Sequence, residues 1–288
     1  MMRPARVWDP LEIAALAQLA CALEAAAPKP GNVSPGRAFH DTCHEDFLVS
    51  AAAVAPSLAR AGERPLGATI LGCIEATSAR TRRNTNLGIV LLLAPLARAA
   101  LTAGPASLRE RLAAVLRSTT VQDARDCYAA IRLAAPGGLG HSDAQDLADA
   151  PSVTLREAMG LAESRDAIAR EYVTDLAITF GIGVPALSAA RQAGFGWSDA
   201  TVETALAILA AVPDSLIARK LGRGAAQEVS AGAAKVLEAG GIRSRHGREA
   251  LAAFDAALRD AQNSRNPGTT ADLTAAALFV HLLETGGA

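Results

Sequence analysis

The chain has 288 residues, of which half are hydrophobic and only 3% aromatic, and its net charge is −1. This charge gives no indication of nucleic-acid binding, and the longest apolar run, 87–96, is about half a membrane span, so we expect neither a nucleic-acid partner nor a membrane segment. The four cysteines are scattered and the N-terminus lacks the order of a signal peptide, which favours a reduced, cytoplasmic protein.

Helical periodicity continues along almost the whole chain, because alanine and leucine carry most of the apolar content and both favour helices. No stretch alternates apolar and polar residues for long enough to require a strand. Short loops favour one all-α domain over 1–288 with an N-terminal tail at about 1–9, and a split near 136–150 is the alternative. The predicted helices are 10–26, 45–61, 66–80, 85–101, 106–118, 120–134, 154–180, 184–193, 198–211, 224–239, 246–261 and 270–285.

The first polar segment joins Glu24, at the end of a predicted helix, to Pro28-Lys29-Pro30-Gly31. The prolines fix φ on either side of Lys29, and a fixed ammonium can pair with a phosphate. The alternative is a turn that ends the helix and leaves the lysine in solvent.

A second segment, residues 40–46, places histidines, acids and a cysteine within seven positions. A zinc site lacks a second cysteine pair, whereas Mg²⁺ prefers carboxylates and water, which makes Asp46 or Glu45 the better ligand candidate. The alternative is a cluster of acids in the first turn of a helix, where negative charge is favourable.

Two arginines and an amide-rich turn precede the apolar helix at 87–101, in the order Arg82-Arg83-Asn84-Thr85-Asn86. Amide side chains and helix N–H groups can hold phosphate or ribose oxygens, and Asn84 or Thr85 can equally serve as an N-cap.

The remaining segments lie in the second half of the chain. The Gly-rich stretch 136–141 matches neither a Walker loop nor GxGxxG and reads as a surface loop. Residues 214–220 hold Asp214, Arg219 and Lys220, and Asn266-Pro267-Gly268 precedes the last helix, in whose first turn Asp272 falls. Asp272 is either an acid that complements the helix dipole or a ligand.

Taken in this order over residues 11–285, these segments resemble the triphosphoribosyl-dephospho-CoA synthase family. An early Glu, a Pro-Lys-Pro-Gly segment and a His-x-Asp element correspond to Glu24, 28–31 and 44–46. Asp214 to Arg219 resembles the family's Asp-(Ser/Thr)-x-x-x-Arg element, and 266–273 its terminal Pro-Gly-x-x-Ala-Asp-Leu element.

One departure separates the chain from the family pattern. The family turn reads Asn-Thr-His-Lys-Gly, whereas here Asn86 and Leu87 stand in place of His and Lys. The lost positive charge would weaken binding of a triphosphate or of the CoA moiety unless Arg82, Arg83 or Lys220 replaces it.

The resemblance implies a transferase that joins ATP to 3′-dephospho-CoA with release of adenine, needs Mg²⁺, and acts through carboxylates, a base and an acid. It implies Glu24 as base or supporting carboxylate, His44 as acid, and Asp46 as a further acid in the catalytic group. Ligands of Mg²⁺ would be Asp46 and Asp272. Residues that bind phosphate or ribose would be Lys29, Gly31, Arg83, Asn84, Asn86 and Arg219.

Two alternatives remain open at the level of sequence. The replaced His-Lys pair permits a related ribosyl transfer to another acceptor, for example a one-carbon carrier. The helical composition alone also permits a non-enzymatic nucleotide-binding protein. Small molecules are the expected partners, and a homodimer is possible.

Overall fold

Residues 8–81, 83–136 and 145–287 are described by a computed structural model, and within them the fold is entirely helical apart from one isolated bridge between Ser34 and Arg37. Helix starts coincide with capping residues, as in the reciprocal hydrogen bonds of Thr120 with Asp123. The all-α prediction is confirmed. The α-helices are α1 Pro10–Ala26, α2 His44–Ala59, α3 Leu66–Ser78, α4 Leu87–Leu101, α5 Leu108–Arg117, α6 Val121–Ala134, α7 Leu155–Gly160, α8 Ala167–Val173, α9 Val184–Gln192, α10 Trp197–Ala211, α11 Ser215–Leu221, α12 Arg223–Glu238, α13 Arg245–Leu258 and α14 Gly268–Thr285.

Two helices, α4 and α14, form the centre of the fold. Both are buried on nearly every face, which matches their continuous apolar sequences. α14 packs against α1, α4, α9 and α10, while α1 also packs on α2 and α3 packs on α6. Because α4 and α14 lie side by side, their N-terminal ends can contribute to one site.

The predicted helix over 154–180 is wrong, since the chain divides there into α7, α8 and a π-helical turn at Thr179–Gly183. Asp166 accepts hydrogen bonds from the N–H groups of Ile168 and Ala169 and thereby starts α8 as a separate helix. Asp175 and Leu176 then adopt positive φ, which ends it. The break brings Asp166 to the site described below.

A second group of buried apolar side chains joins α10, α11, α12 and α13, with Leu206, Ile217 and Val229 among them. In the described part of the chain no single helix combines the length and apolar character of a membrane span, although α10 with α11, bent by 56°, passes as a pair by length and composition alone.

Candidate active site

A cavity of about 570 Å³ lies where the loop 32–42 meets the N-terminal ends of α4 and α14. The last turn of α1, the start of α8, the end of α11 and the segment 262–272 complete its wall. One part of the lining is polar and charged. The other part is apolar and includes Phe39, Phe47, Leu91, Ile131, Leu155 and Met159.

Glu24 lines this cavity, and Lys29 lies behind it. The ammonium of Lys29 is 1% exposed, forms an ion pair with Glu24 Oε1 at 2.8 Å, and donates to the carbonyl oxygens of Glu24 and Ala27. It therefore satisfies carbonyl groups at the C-terminus of α1, where positive charge is favourable. The structure gives Lys29 a role in positioning Glu24 and no direct contact with the cavity.

Gly31 also lies outside the cavity lining, and its role is to pack the loop against α13. Its φ of +73° lies in the left-handed region, and a Cβ there would lie 3.0 Å from atoms of both Leu258 and Pro267. Its N–H donates to Asp255 Oδ1 at 2.8 Å, and Arg259 Nη2 donates to the carbonyl of Asn32 at 2.9 Å. Asn32, the next residue of the loop, does line the cavity.

The turn 84–88 places both predicted amides on the cavity wall. Asn84 Oδ1 accepts from the N–H of Leu87 at 3.1 Å, so this side chain also caps the turn. Asn86 is buried and donates from Nδ2 to Thr77 Oγ1 at 3.1 Å. Leu87, which replaces the family lysine, is buried and lines the cavity with an apolar surface.

Asp272 lines the cavity in the first turn of α14 and lies against Gly88 at the start of α4. Burial raises the pKa of its carboxyl well above the ordinary value, Glu24, Asp214 and Asp166 raise it further, and Arg219 lowers it. Part of the side chain surface remains open to the cavity. Asp272 and Glu24 thus bring two interacting carboxyl groups to the same space.

Two further aspartates hold the surrounding helix starts in place. Asp214 accepts at Oδ1 from the N–H groups of Leu216 and Ile217, and at Oδ2 from the N–H and hydroxyl of Thr270 at 2.7 and 2.8 Å. Burial raises the pKa of Asp214, and these hydrogen bonds counteract the rise. Its carboxylate fixes the start of α11 to the start of α14.

The second aspartate, Asp166, accepts from Arg219 Nη1 at 2.9 Å, and both side chains line the cavity. Arg219 Nε is buried without a hydrogen-bond partner in the described structure. Asp166 was missed by the sequence reasoning because it fell within a predicted helix. Its place before Ala-Ile-Ala, as an N-cap, was the available signal.

Three further predicted site residues, His44, Asp46 and Arg83, are also not part of the cavity lining. Asp46 Oδ2 accepts from Cys43 N at 2.9 Å and from its thiol at 3.3 Å, so the carboxylate caps α2. Arg83 pairs with Asp41 at 3.3 Å, and Asp41 lines the cavity. Within residues 40–46, the first half of the segment therefore lines the cavity and the second half does not.

A metal cage is not apparent among the residues that the structure describes, where no group of three or more His, Cys, Asp or Glu side chains is arranged to hold an ion. Glu24 and Asp272 nevertheless supply two carboxylates in one cavity, which is the usual protein share of a Mg²⁺ site completed by water and substrate phosphates. Arg82 and residues 137–144, which include all of the Gly-rich stretch except Pro136, lie outside the described residues.

Comparison with known proteins gives a consistent family. Residues 10–288 match the family model CitG, ATP:dephospho-CoA triphosphoribosyl transferase. A protein of Stutzerimonas stutzeri strain A1501, named 2-(5''-triphosphoribosyl)-3'-dephosphocoenzyme-A synthase, is 39% identical over 101 residues, 35% of this chain and 34% of that protein. A Klebsiella pneumoniae protein of the same name is 35% identical over 99 residues, 34% of this chain and 35% of the other. The alignments thus span about a third of the curated relatives.

A solved structure extends the similarity to most of the fold. The crystal structure of an Archaeoglobus fulgidus protein named triphosphoribosyl-dephospho-CoA synthase is 29% identical, with a TM-score of 0.64, and the superposition covers 83% of this chain and 99% of that one.

Proposed function

Because the chain belongs to the ATP:dephospho-CoA triphosphoribosyl transferase family, we propose that its cavity transfers the triphosphoribosyl group of ATP to 3′-dephospho-CoA and releases adenine. One observation carries the proposal. Glu24, Asn84, Asn86, Arg219 and Asp272, which belong to four of the family's separate motifs, line a single cavity. Polar groups that come from separate motifs and converge on one cavity are the arrangement expected of a ligand site.

The chemistry is a substitution at the anomeric carbon of the ATP ribose. The 2′-hydroxyl oxygen of the acceptor forms the new C–O bond, the C–N bond to adenine breaks, the hydroxyl proton is lost and the departing purine gains a proton. Positive charge develops on the ribose ring in the transition state, and the carboxylates of Glu24 and Asp272 would stabilise it.

Glu24 is the best-placed base for the hydroxyl proton. It faces the cavity, and the ion pair with Lys29 fixes its position. The acid role first expected of His44 is not supported by its place outside the cavity lining. Asp46 also lies outside the lining, and its carboxylate caps α2, so it is not placed to transfer a proton to the substrate.

Mg²⁺ fits the donor set of the cavity. The charge of Glu24 raises the pKa of Asp272, and a divalent cation between two such carboxylates would relieve their repulsion. Asp272 would hold the ion directly, Glu24 would hold it through water so that its carboxylate stays available as the base, and Asp46 would not hold it. When bound, Mg²⁺ would neutralise the triphosphate charge.

A transfer to another acceptor is the second candidate, and Leu87 favours it. The apolar wall at this position removes a cation that the family pattern places beside the cavity. An acceptor with fewer phosphates than 3′-dephospho-CoA would fit such a wall better.

The test is to incubate the purified protein with Mg-ATP and measure free adenine by chromatography, with and without 3′-dephospho-CoA. Adenine release that requires the acceptor supports the proposal. Release without any acceptor indicates a nucleosidase, and release only with a different ribosyl acceptor favours the second candidate. Asp272→Asn should abolish release, whereas Glu238→Gln, on the exposed surface of α12, should not.

A further inference from the structure

The chain contains three lysines, and each lies in a different environment. Lys29 is buried against Glu24, and Lys235 is exposed on α12. Lys220, in the last turn of α11, lines the cavity beside Arg219. Lys220 is exposed, and a compact, strongly hydrated ammonium at a cavity wall is a candidate contact for an anion.

The ammonium of Lys220 has little to hold it in the described structure. Its recorded hydrogen bond is a long one, 3.4 Å to the carbonyl oxygen of Asn263, and no carboxylate of the described residues forms an ion pair with it. By contrast Arg219 Nη1 is engaged by Asp166 at 2.9 Å. The positive charge of Lys220 is thus available to a ligand.

Two other polar atoms on the same side of the cavity lack partners. Arg219 Nε is a buried donor without an acceptor, and Asn266 Oδ1 is a buried acceptor without a donor. Buried polar atoms of native proteins are nearly always hydrogen-bonded, so unpaired atoms on residues that line a cavity indicate where a ligand could complete them. Both residues line the cavity with Lys220.

The charges along this wall suit an extended anion. Arg165, Arg219 and Lys220 all line the cavity, and the start of α4 adds the apolar Leu87 to the same lining. Several cations in one cavity match the several charges of a polyphosphate better than the single charge of a carboxylate. The unpaired acceptor of Asn266 suits a donor such as a ribose hydroxyl.

We propose that Arg219 Nε and Lys220 Nζ bind the phosphate chain of the nucleotide donor, and that Lys220 supplies the positive charge that Leu87 removes from the family's usual position. The assignment rests on the proposed function for the identity of the donor. The binding site itself is defined by the cavity, the two cations and the unpaired atoms, and inorganic tripolyphosphate can probe it without any transfer reaction.

Protection from acetylation provides the first test, because three lysines give a readout resolved by site. The protein is treated with N-hydroxysuccinimidyl acetate, and acetylation at each lysine is measured by mass spectrometry. Tripolyphosphate and ATP should protect Lys220 and leave Lys235 unchanged, whereas adenosine should protect neither. Two results would overturn the assignment to the donor. One is that, of the ligands tested, 3′-dephospho-CoA alone protects Lys220; the other is that no ligand protects Lys220 even at saturating concentration.

Calorimetry on matched variants gives the second test. Lys220→Met should weaken the binding of tripolyphosphate and ATP by about tenfold, the scale of one lost charge-assisted contact, and leave adenosine binding unchanged. Lys220→Arg should restore most of the affinity, and Lys235→Met should bind as the wild type does. Equal tripolyphosphate affinity in Lys220→Met and wild type would refute the subsite.

The phosphate subsite and the transferase function can be refuted separately. Tripolyphosphate binding that depends on Lys220, in a protein that releases no adenine with any acceptor, would sink the proposed function and keep the subsite. Normal transfer activity in a Lys220→Met variant that binds ATP like the wild type would support the proposed function and refute the subsite.

Discussion

Gly88 lies directly against the carboxylate of Asp272: a Cβ at position 88 would stand 2.0 Å from Asp272 Oδ2 and 2.4 Å from its Cγ. The glycine at the start of α4 therefore admits an acid from the start of α14. This explains in physical terms why glycine follows the Asn84–Leu87 turn, since any side chain would displace the carboxylate from the cavity.

Gly88→Ala should reduce kcat on the order of a hundredfold, because a shift of about 1 Å in a reacting group costs that much. The measurement is adenine release under saturating substrates. Gly224→Ala is the matched control, since a Cβ at Gly224 meets no atom within 4 Å. In an Asp272→Ala background, which removes the carboxylate that the new Cβ would meet, the same Gly88→Ala change should cost little free energy of unfolding, because the clash is gone. Additive losses would show that Gly88 acts through some other contact.

Lys29→Met should destabilise the fold by about 3–5 kcal/mol, since it leaves the carboxylate of Glu24 buried without its partner. The free energy of unfolding by urea measures this. The sequence pattern instead favours a direct contact between Lys29 and a phosphate, in which case loss of the side chain would raise the nucleotide KM. A folded, wild-type-stable Lys29→Met protein with a raised KM would support that earlier interpretation and contradict the present one.

Two controls sharpen the Lys29 experiment. The double variant Glu24→Gln with Lys29→Met should recover part of the lost stability, because no charge is then left buried. Arg245→Met removes the exposed Arg245–Glu249 pair and should leave the free energy of unfolding nearly unchanged.

The affinity for tripolyphosphate should depend on pH through Lys220. Burial lowers the pKa of Lys220 and Arg219 adds to the decrease, while Asp214, Asp260 and Asp41 oppose it. An amine binds an anion when it is protonated, so the affinity for tripolyphosphate should fall as pH rises through this lowered pKa. The fall should begin at a lower pH than it would for a lysine with its ordinary pKa.

The matched variant is Lys220→Arg, which stays charged over the same range. The ratio of wild-type to Lys220→Arg affinity, measured by calorimetry, cancels the ionisation of the ligand itself. A ratio that is constant with pH would show that Lys220 does not contribute its charge to binding.

Asp214→Asn should lower the free energy of unfolding by about 2 kcal/mol, because an amide NH₂ cannot accept from the N–H and hydroxyl of Thr270. Chemical denaturation measures the change. Asp9→Asn is the matched cap at the start of α1, where the side chain accepts from the N–H of Leu11 in the described part of the chain and asparagine caps equally well. Equal effects of the two substitutions would show that the link from α11 to α14 contributes nothing.

The helices were predictable because Ala/Leu periodicity and proline breaks are local signals. The division of 154–180 was not, because it depends on the cap at Asp166 and on positive φ at Asp175 and Leu176, which no periodicity records. Short helices stabilised by tertiary packing give the weakest sequence signal.

The site was predictable in part. Glu24, Asn84, Asn86, Arg219 and Asp272 reach the cavity as a group. Other candidates do not, because a motif does not reveal which way a side chain turns. Lys29 folds back onto the end of its own helix, Asp46 caps α2, and Gly31 serves the packing of a loop; His44 and Arg83 also lie outside the lining.

The most direct test of the account follows the atoms of ATP. The protein is incubated with Mg²⁺, 3′-dephospho-CoA and ATP labelled with ¹³C either in the ribose or in the adenine, and the products are resolved by mass spectrometry. We predict that ribose label enters the CoA product together with all three phosphates and that adenine label leaves as free base, and that Asp272→Asn forms neither product. Adenine label retained in the CoA product, or an undiminished reaction in Asp272→Asn, would contradict triphosphoribosyl transfer in this cavity.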